Sequence, residues 1–333
     1  MSTKPGLTGG DAAFWRSSMK IRNVGALTTV AVAVLGVSGE PIAAVASAAQ
    51  TRSQGRPNEA PSCSGLAAYC GASGKESCCR SPVVPGGKYE RSNESDFPAT
   101  VSDFRLDAFE ISVGRFKRFI AAFEQNMIPA GAGKNPNDAE DTGWDIAWNS
   151  LLPAGRAELA AEIRCDGGGS IERGDYLPMN CISWYLATAF CIWDGGRLPT
   201  EAEWNYAAAG GREQRTFPWG STPPERGCFV NNRGGCRSAR ELNEVGSAAR
   251  GNGKWGHADL AGSLEEWVQD GSGQAYPLPC VNCAQHKTVQ YRGLRGGNFF
   301  SHLRTLTTFH RDGALPFARG HEHGARCARP VNQ

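Results

Sequence analysis

Residues 196–211 read Gly-Arg-Leu-Pro-Thr-Glu-Ala-Glu-Trp-Asn-Tyr-Ala-Ala-Ala-Gly-Gly, and that order leaves the backbone little choice. Thr200 stands where a helix needs an N-cap oxygen, and Glu203, three residues on, completes a capping box. Glu201 and Glu203 fall in the first turn, where the helix dipole favours negative charge. Trp204 and Ala207–Ala209 give a compact face for close packing, and Gly210-Gly211 stops the helix. This describes a well-capped buried helix and, taken alone, no chemistry.

Two further helices are legible. One starts at an N-cap Ser112 and buries Val113, Phe116, Phe119 or Ile120, and Phe123 at helical spacing. The other starts at Ser183, buries Trp184, Ala187, Phe190 and Cys191, and ends at Gly195-Gly196. Apolar stripes of this kind are core and receive no functional role. The chain carries 42 glycines in 333 residues, which points to many turns and irregular connections. Residues 212–330 read as loops with short strands, such as Val289–Leu294. No internal repeat is visible. The formal charge is +2, with no basic stripe, so nothing supports nucleic-acid binding.

The start of the chain has the pattern of an export signal. Met19-Lys20-Ile21-Arg22 is basic, Val24–Val37 is apolar at signal-core length, and Ala46-Ser47-Ala48 is a small-residue cleavage site. Residues 1–48 are therefore expected to be a signal peptide, its start either Met1 or Met19, with the mature protein beginning near Ala49; an uncleaved anchor is the alternative. The mature chain has no transmembrane segment on this reading, and its place is periplasmic, cell-surface or secreted. The twelve cysteines all follow that site, which in an exported chain reads as up to six disulfides. Cys228 with Cys236 and Cys280 with Cys283 are the expected local pairs. Cys280-Val281-Asn282-Cys283 reads as a structural clip ahead of a redox motif or zinc half-site. Residues 49–81 form a polar linker and a Cys-rich segment too short for a core of its own. Its adjacent Cys78 and Cys79 are expected to bond outward to different partners. The main domain spans 82–330.

Ordered motifs run through that domain. They are Val84-Pro85-Gly86-Gly87, Phe109-Glu110-Ile111-Ser112-Val113, Asn180-Cys181-Ile182-Ser183-Trp184, the capped helix above, and Phe217-Pro218-Trp219-Gly220. Asp259-Leu260-Ala261-Gly262-Ser263-Leu264-Glu265-Glu266-Trp267, Leu294-Arg295-Gly296-Gly297-Asn298-Phe299 and Gly324-Ala325-Arg326-Cys327 follow. The set, in this order, resembles the formylglycine-generating enzyme, or sulfatase-modifying factor, family. The resemblance implies an α+β fold of C-type-lectin-like, loop-rich architecture with little regular secondary structure.

It also implies sites. Calcium takes six to eight oxygen ligands, and the family's calcium block falls here on the side chains of Asp259 and Glu266 and the carbonyls of Gly262 and Leu264. Ser263 replaces the family's Asn, which removes an amide ligand or loop brace. The alternative is a carboxylate pair capping loop amides without metal. A second family calcium site would fall near Asn231-Asn232, where a Cys228–Cys236 disulfide is expected instead. Family oxidases carry two cysteines shortly after the Arg-Gly-Gly block, and these bind copper(I) through soft thiolates. Here no cysteine occurs between Cys283 and Cys327, so copper is not expected. Ser301, His302, Arg304 and His310 fall near that cleft and form a candidate ligand cleft. His302 and His310 with His321 or His323 are a weaker metal set, read first as solvated loop histidines. The resulting reading is an exported module for an unidentified protein, peptide or glycan ligand. The alternatives are an active formylglycine-generating oxidase and a different enzyme on the same scaffold.

Overall fold

A computed structural model describes residues 60–165, 169–224, 242–286 and 290–332. The expected signal peptide, its cleavage site and the Cys228–Cys236 pair lie outside these residues. The described residues contain four α-helices: α1 (Val113–Ala122), α2 (Arg156–Glu162), α3 (Trp184–Trp193) and α4 (Glu201–Ala209). The strands are short: β1 (Val83–Val84), β2 (Gly87–Glu90), β3 (Pro98–Val101), β4 (Phe104–Leu106), β5 (Glu265–Gly271), β6 (Cys280–Val281), β7 (Arg292–Arg295), β8 (Asp312–Ala314), β9 (His323–Gly324) and β10 (Ala328–Arg329). They form three small sheets ordered β1-β4-β10, β2-β3-β6 and β8-β7-β5-β9. The fold is α+β and loop-rich. No helix among the described residues is long and apolar enough to cross a membrane.

The three expected helices form with their expected caps. The side chains of Ser112, Ser183 and Thr200 accept from the amides of Arg115, Leu186 and Glu203, and both halves of the Thr200–Glu203 capping box are present. Gly210 closes α4 at φ 69°, a left-handed position that favours glycine. The short α2 has no capping side chain at Gly155, which is why its sequence gives so little warning of it.

Helices α1 and α3 pack through aromatic rings. Phe116 stacks on Phe190 at 5.6 Å, and Phe119 meets Phe123, Phe190 and Trp193. Two indole N–H groups clasp α3 to β5: Trp184 donates to the Val268 carbonyl and Trp267 to that of Ile182, both at 2.9 Å. A charged knot lies beneath. Arg115 donates to Asp107 at 2.8 Å and to Asp194 at 2.5 Å, and Arg329 pairs with the same two carboxylates. Burial alone would raise the Asp107 pKa, but Arg329 and Arg115 override it and hold that carboxyl below its ordinary range.

All ten cysteines among the described residues are in disulfides: Cys63–Cys79, Cys70–Cys78, Cys165–Cys181, Cys191–Cys327 and Cys280–Cys283. The clip at Cys280–Cys283 forms as expected. Cys78 and Cys79 do take different partners, but both partners lie inside the Cys-rich segment, not outward in the domain. The segment reaches the domain by hydrogen bonds instead. The Ser62 amide donates to Asp194 and its hydroxyl accepts from Arg115, so the charged knot anchors it.

Candidate functional site

Helix α4 has polar side chains that are buried yet fully used, and they organise a site on each of its flanks. At its start, Arg197 forks onto both oxygens of Glu203 at 2.7 and 2.6 Å, while Glu203 also accepts from the Thr200 amide. This bidentate pair fixes the turn into the helix. The Arg-Leu-Pro-Thr-Glu-Ala-Glu-Trp run is thus a folding device at these positions.

On one flank, Trp204 donates through its indole N–H to Glu266 at 2.8 Å. Arg326 spans both Glu266 oxygens through Nε and Nη2 at 2.6–2.9 Å. Its other donors reach the carbonyls of Asp107, Ala108 and Ala258. Between Asp259 and Glu266 the chain turns through left-handed residues Asp259 (φ 58°), Gly262 (φ 83°) and Ser263 (φ 59°). Glu110 braces the turn, accepting from the Ser263 hydroxyl and the Leu264 amide, each at 3.0 Å. Ser263 therefore supplies a brace at the position where the family has Asn. Asp259 accepts from the Gly246 amide at 2.6 Å.

The charges here are unbalanced. Three carboxylates, Glu110, Asp259 and Glu266, share one guanidinium, Arg326. Burial, followed by repulsion from Asp259 and Glu266, pushes the Glu110 carboxyl well above its usual range. Burial pushes Asp259 up to about 6. Asp259 and Glu266 with the two carbonyls of the turn carry oxygen atoms, the donor type that calcium takes. Glu266 is also committed to Arg326, so this residue has a structural task with or without an ion.

On the other flank, Glu201 accepts from Arg311 at 2.6 and 2.9 Å, and its amide donates to Asp270 at 2.7 Å. Burial, with Glu201 adding repulsion, pushes Asp270 up to about 7. Arg311 in turn lies 4.0 Å from the centre of the Tyr276 ring, and Arg91 lies 4.3 Å from it. The Tyr276 hydroxyl is 2.7 Å from the Ser92 hydroxyl, and Phe97 meets the ring edge-on at 5.1 Å. These side chains open into a cavity of about 360 Å³ whose lining includes Glu94, Arg304, Phe309 and His310. Segment 307–311 is pinned from behind. Asn205 and Arg295 both donate to the Thr308 carbonyl, and Arg295 also donates to that of His310.

The sulfatase-modifying factor enzyme 1-like domain family matches residues 68–331. The chain belongs to this family. It is 26% identical over 289 residues to a formylglycine-generating enzyme of Thermomonospora curvata, covering 74% of this chain and 92% of that protein. It is also 26% identical over 286 residues to an inactive C-alpha-formylglycine-generating enzyme 2 of Bos taurus, covering 74% and 86%. The structure of PvdO from Pseudomonas aeruginosa superposes with a TM-score of 0.51 at 19% identity, covering 75% of this chain and 93% of that one, which shows the shared fold. Membership in this family does not decide activity here, because the chain shares the same 26% identity with an enzyme and with an inactive relative.

Within the family frame, the sequence-derived residues separate. Arg304 and His310 line the cavity together. Ser301 and His302 do not. Ser301 closes a turn, its hydroxyl accepting from the Asn298 amide at 2.8 Å, and exposed His302 precedes a short 3-10 turn, Leu303–Leu306, without a capping bond from its side chain. His321 and His323 lie elsewhere, beside Glu322 at 3.6 Å. Among the described residues no three histidine, cysteine, aspartate or glutamate side chains are disposed to hold a metal together. Tyr276, Phe97 and Glu201 escaped sequence reasoning. Tyr276 sits in a loop without periodicity, and Glu201 was accounted for by the helix dipole alone. The one signal available was the Arg311 that closes the run of loop residues after the Arg-Gly-Gly block.

Proposed function

We propose that this chain is an exported member of its family that binds a ligand instead of oxidising a cysteine, with calcium holding the turn at Asp259–Glu266. The carrying observation is the segment 298–326, which contains no cysteine where the resembled oxidases place their copper thiolates. Copper(I) at such a site needs soft sulfur, and serine, threonine and imidazole do not reproduce two thiolates. Among the described residues the domain's other cysteines supply none: Cys165, Cys181, Cys191, Cys280, Cys283 and Cys327 are all in disulfides. Several disulfides agree with an extracellular place for the chain.

Asp259 and Glu266, with the carbonyls of Gly262 and Leu264, would hold the calcium, whose role is to fix the turn. The ligand would bind in the cavity beside Tyr276. The competing reading is a formylglycine-generating oxidase, favoured by the likeness to the Thermomonospora enzyme along 92% of its length. Purified protein given copper(I), oxygen and a cysteine-containing sulfatase-motif peptide decides between them. No aldehyde product is expected. Turnover abolished by reducing-site variants such as Cys280→Ser would establish the oxidase in place of the binding module.

A further inference from the structure

The cavity beside Tyr276 joins features that fold stability does not require. Two opposite charges line it without pairing. Arg304 and Glu94 are both exposed, and among the described residues neither side chain has a hydrogen bond or ion pair, with each other or with any third group. Aromatic rings share the cavity with them: Tyr276 is 9% exposed and forms a wall with Phe97, and Phe309 stays 37% exposed. The third charge, Arg311, is spent on Glu201, on the Gln274 carbonyl and on the Tyr276 ring. The wall is therefore stiff, while the two rim charges remain available. A second cavity shows the opposite arrangement. In the cavity of about 540 Å³ beside the Cys-rich segment, Asp194 and Arg329 satisfy each other.

Resting on the binding reading above, we infer that this cavity takes a free zwitterionic aromatic amino acid. Its carboxylate meets the Arg304 guanidinium, a planar fork suited to two parallel bonds. Its ammonium meets the Glu94 carboxylate. Its ring covers Phe309, the aromatic side chain of the lining left most exposed, in the offset or edge-on geometry that rings prefer. A volume of about 360 Å³ is at the small end of ligand sites, in keeping with a single amino acid and not a folded peptide. A singly charged ligand meets one of the two rim charges, whereas a zwitterion meets both and gains the second contact.

The test is calorimetric titration of the full chain with L-tryptophan and L-phenylalanine. Phenylacetate, phenethylamine and L-alanine serve as probes that lack the ammonium, the carboxylate or the ring. Binding of the aromatic amino acids is expected, with each single-charge or ring-less probe weaker by about tenfold or more. Arg304→Gln and Glu94→Gln, both exposed changes, should each weaken tryptophan binding by about tenfold at unchanged melting temperature. Arg304→Lys should recover part of the loss. Absence of binding, equal binding of phenethylamine and tryptophan, or indifference to both variants would overturn the assignment. Copper-dependent turnover would instead overturn the binding reading, whatever the amino acids do. A hit on a glycan or peptide array without amino-acid binding would leave that reading standing and remove this inference alone.

Discussion

The two flanks of α4 differ in what they leave unmet. On the Glu266 flank Arg326 uses every donor group on a carboxylate or a carbonyl, and Glu110 and Trp204 close the remaining bonds. On the Glu201 flank the ion pair with Arg311 is equally well made, but it ends in an aromatic wall and a rim with unpaired charge. One helix thus carries a closed polar core on one side and an open one on the other. A buried charge is tolerated only when paired, because desolvation costs several kcal/mol. A charge at a cavity rim stays hydrated and can wait for a partner. The lesson is that stability and binding are separated across a helix only nine residues long.

The comparison breaks most sharply at the closed flank. Glu266→Gln should destabilise the chain by about 3–5 kcal/mol, since it strands the buried Arg326 guanidinium. Chemical denaturation in chelator measures this. Calcium-independent loss is expected because the ion pair is intrinsic; a loss confined to calcium-loaded protein would make the carboxylate chiefly a metal ligand. The melting temperature of wild-type protein is therefore the cleaner test of calcium.

Next comes the disulfide beside Arg326. Cys191–Cys327 closes a span of 136 residues and holds the segment between β9 and β10 that delivers Arg326. Replacing both cysteines by alanine should cost about 5 kcal/mol in the loop-entropy account, whereas the same change at Cys280–Cys283, separated by 3 residues, should cost less. Equal losses at the two sites would show that local packing, not loop closure, sets the effect.

Calcium follows. At a hundredfold excess over its dissociation constant it should add about 2.7 kcal/mol of stability relative to chelator. An unchanged melting temperature would leave the Asp259–Glu266 turn as a hydrogen-bonded carboxylate cluster.

A smaller effect sharpens the boundary between the flanks. Glu265, next to Glu266 on β5, is pushed up to about 7 by burial and by Asp312. Between its ordinary 4.5 and about 7 the folded chain holds a proton that the unfolded chain releases. Its stabilising contribution is thus complete below pH 4.5 and is lost as pH rises through about 7. His257, held down to about 3 by burial and Arg326, works the other way, adding stability as pH rises from about 3 to its ordinary 6.5. The readout is therefore the difference between wild type and Glu265→Gln, which should favour the variant increasingly from pH 5 to 8. A constant difference would place Glu265 in an ordinary ionised state. Smallest of all, Arg304→Gln at the open rim should change stability by less than about 0.5 kcal/mol; a larger loss would mean that its charge serves the fold.

What the sequence determined here was local. Caps at Ser112, Ser183 and Thr200, the stop at Gly210 and the Cys280–Cys283 clip all act within a few residues, where spacing alone constrains geometry. Ordered motifs added the family and with it the candidate turn from Asp259 to Glu266. Only the tertiary structure decided which charges meet. Glu201 finds Arg311 at a separation of 110 residues, Trp204 finds Glu266 at 62, and Ser92 finds Tyr276 at 184. Such pairings leave no periodic trace, because loops impose no regular repeat on the side chains they carry. For the same reason the residues after the Arg-Gly-Gly block looked alike in the sequence. The fold spends Ser301 on a turn, leaves His302 exposed ahead of a 3-10 turn, and places Arg304 at the rim of an aromatic cavity, where its charge stays hydrated and unpaired.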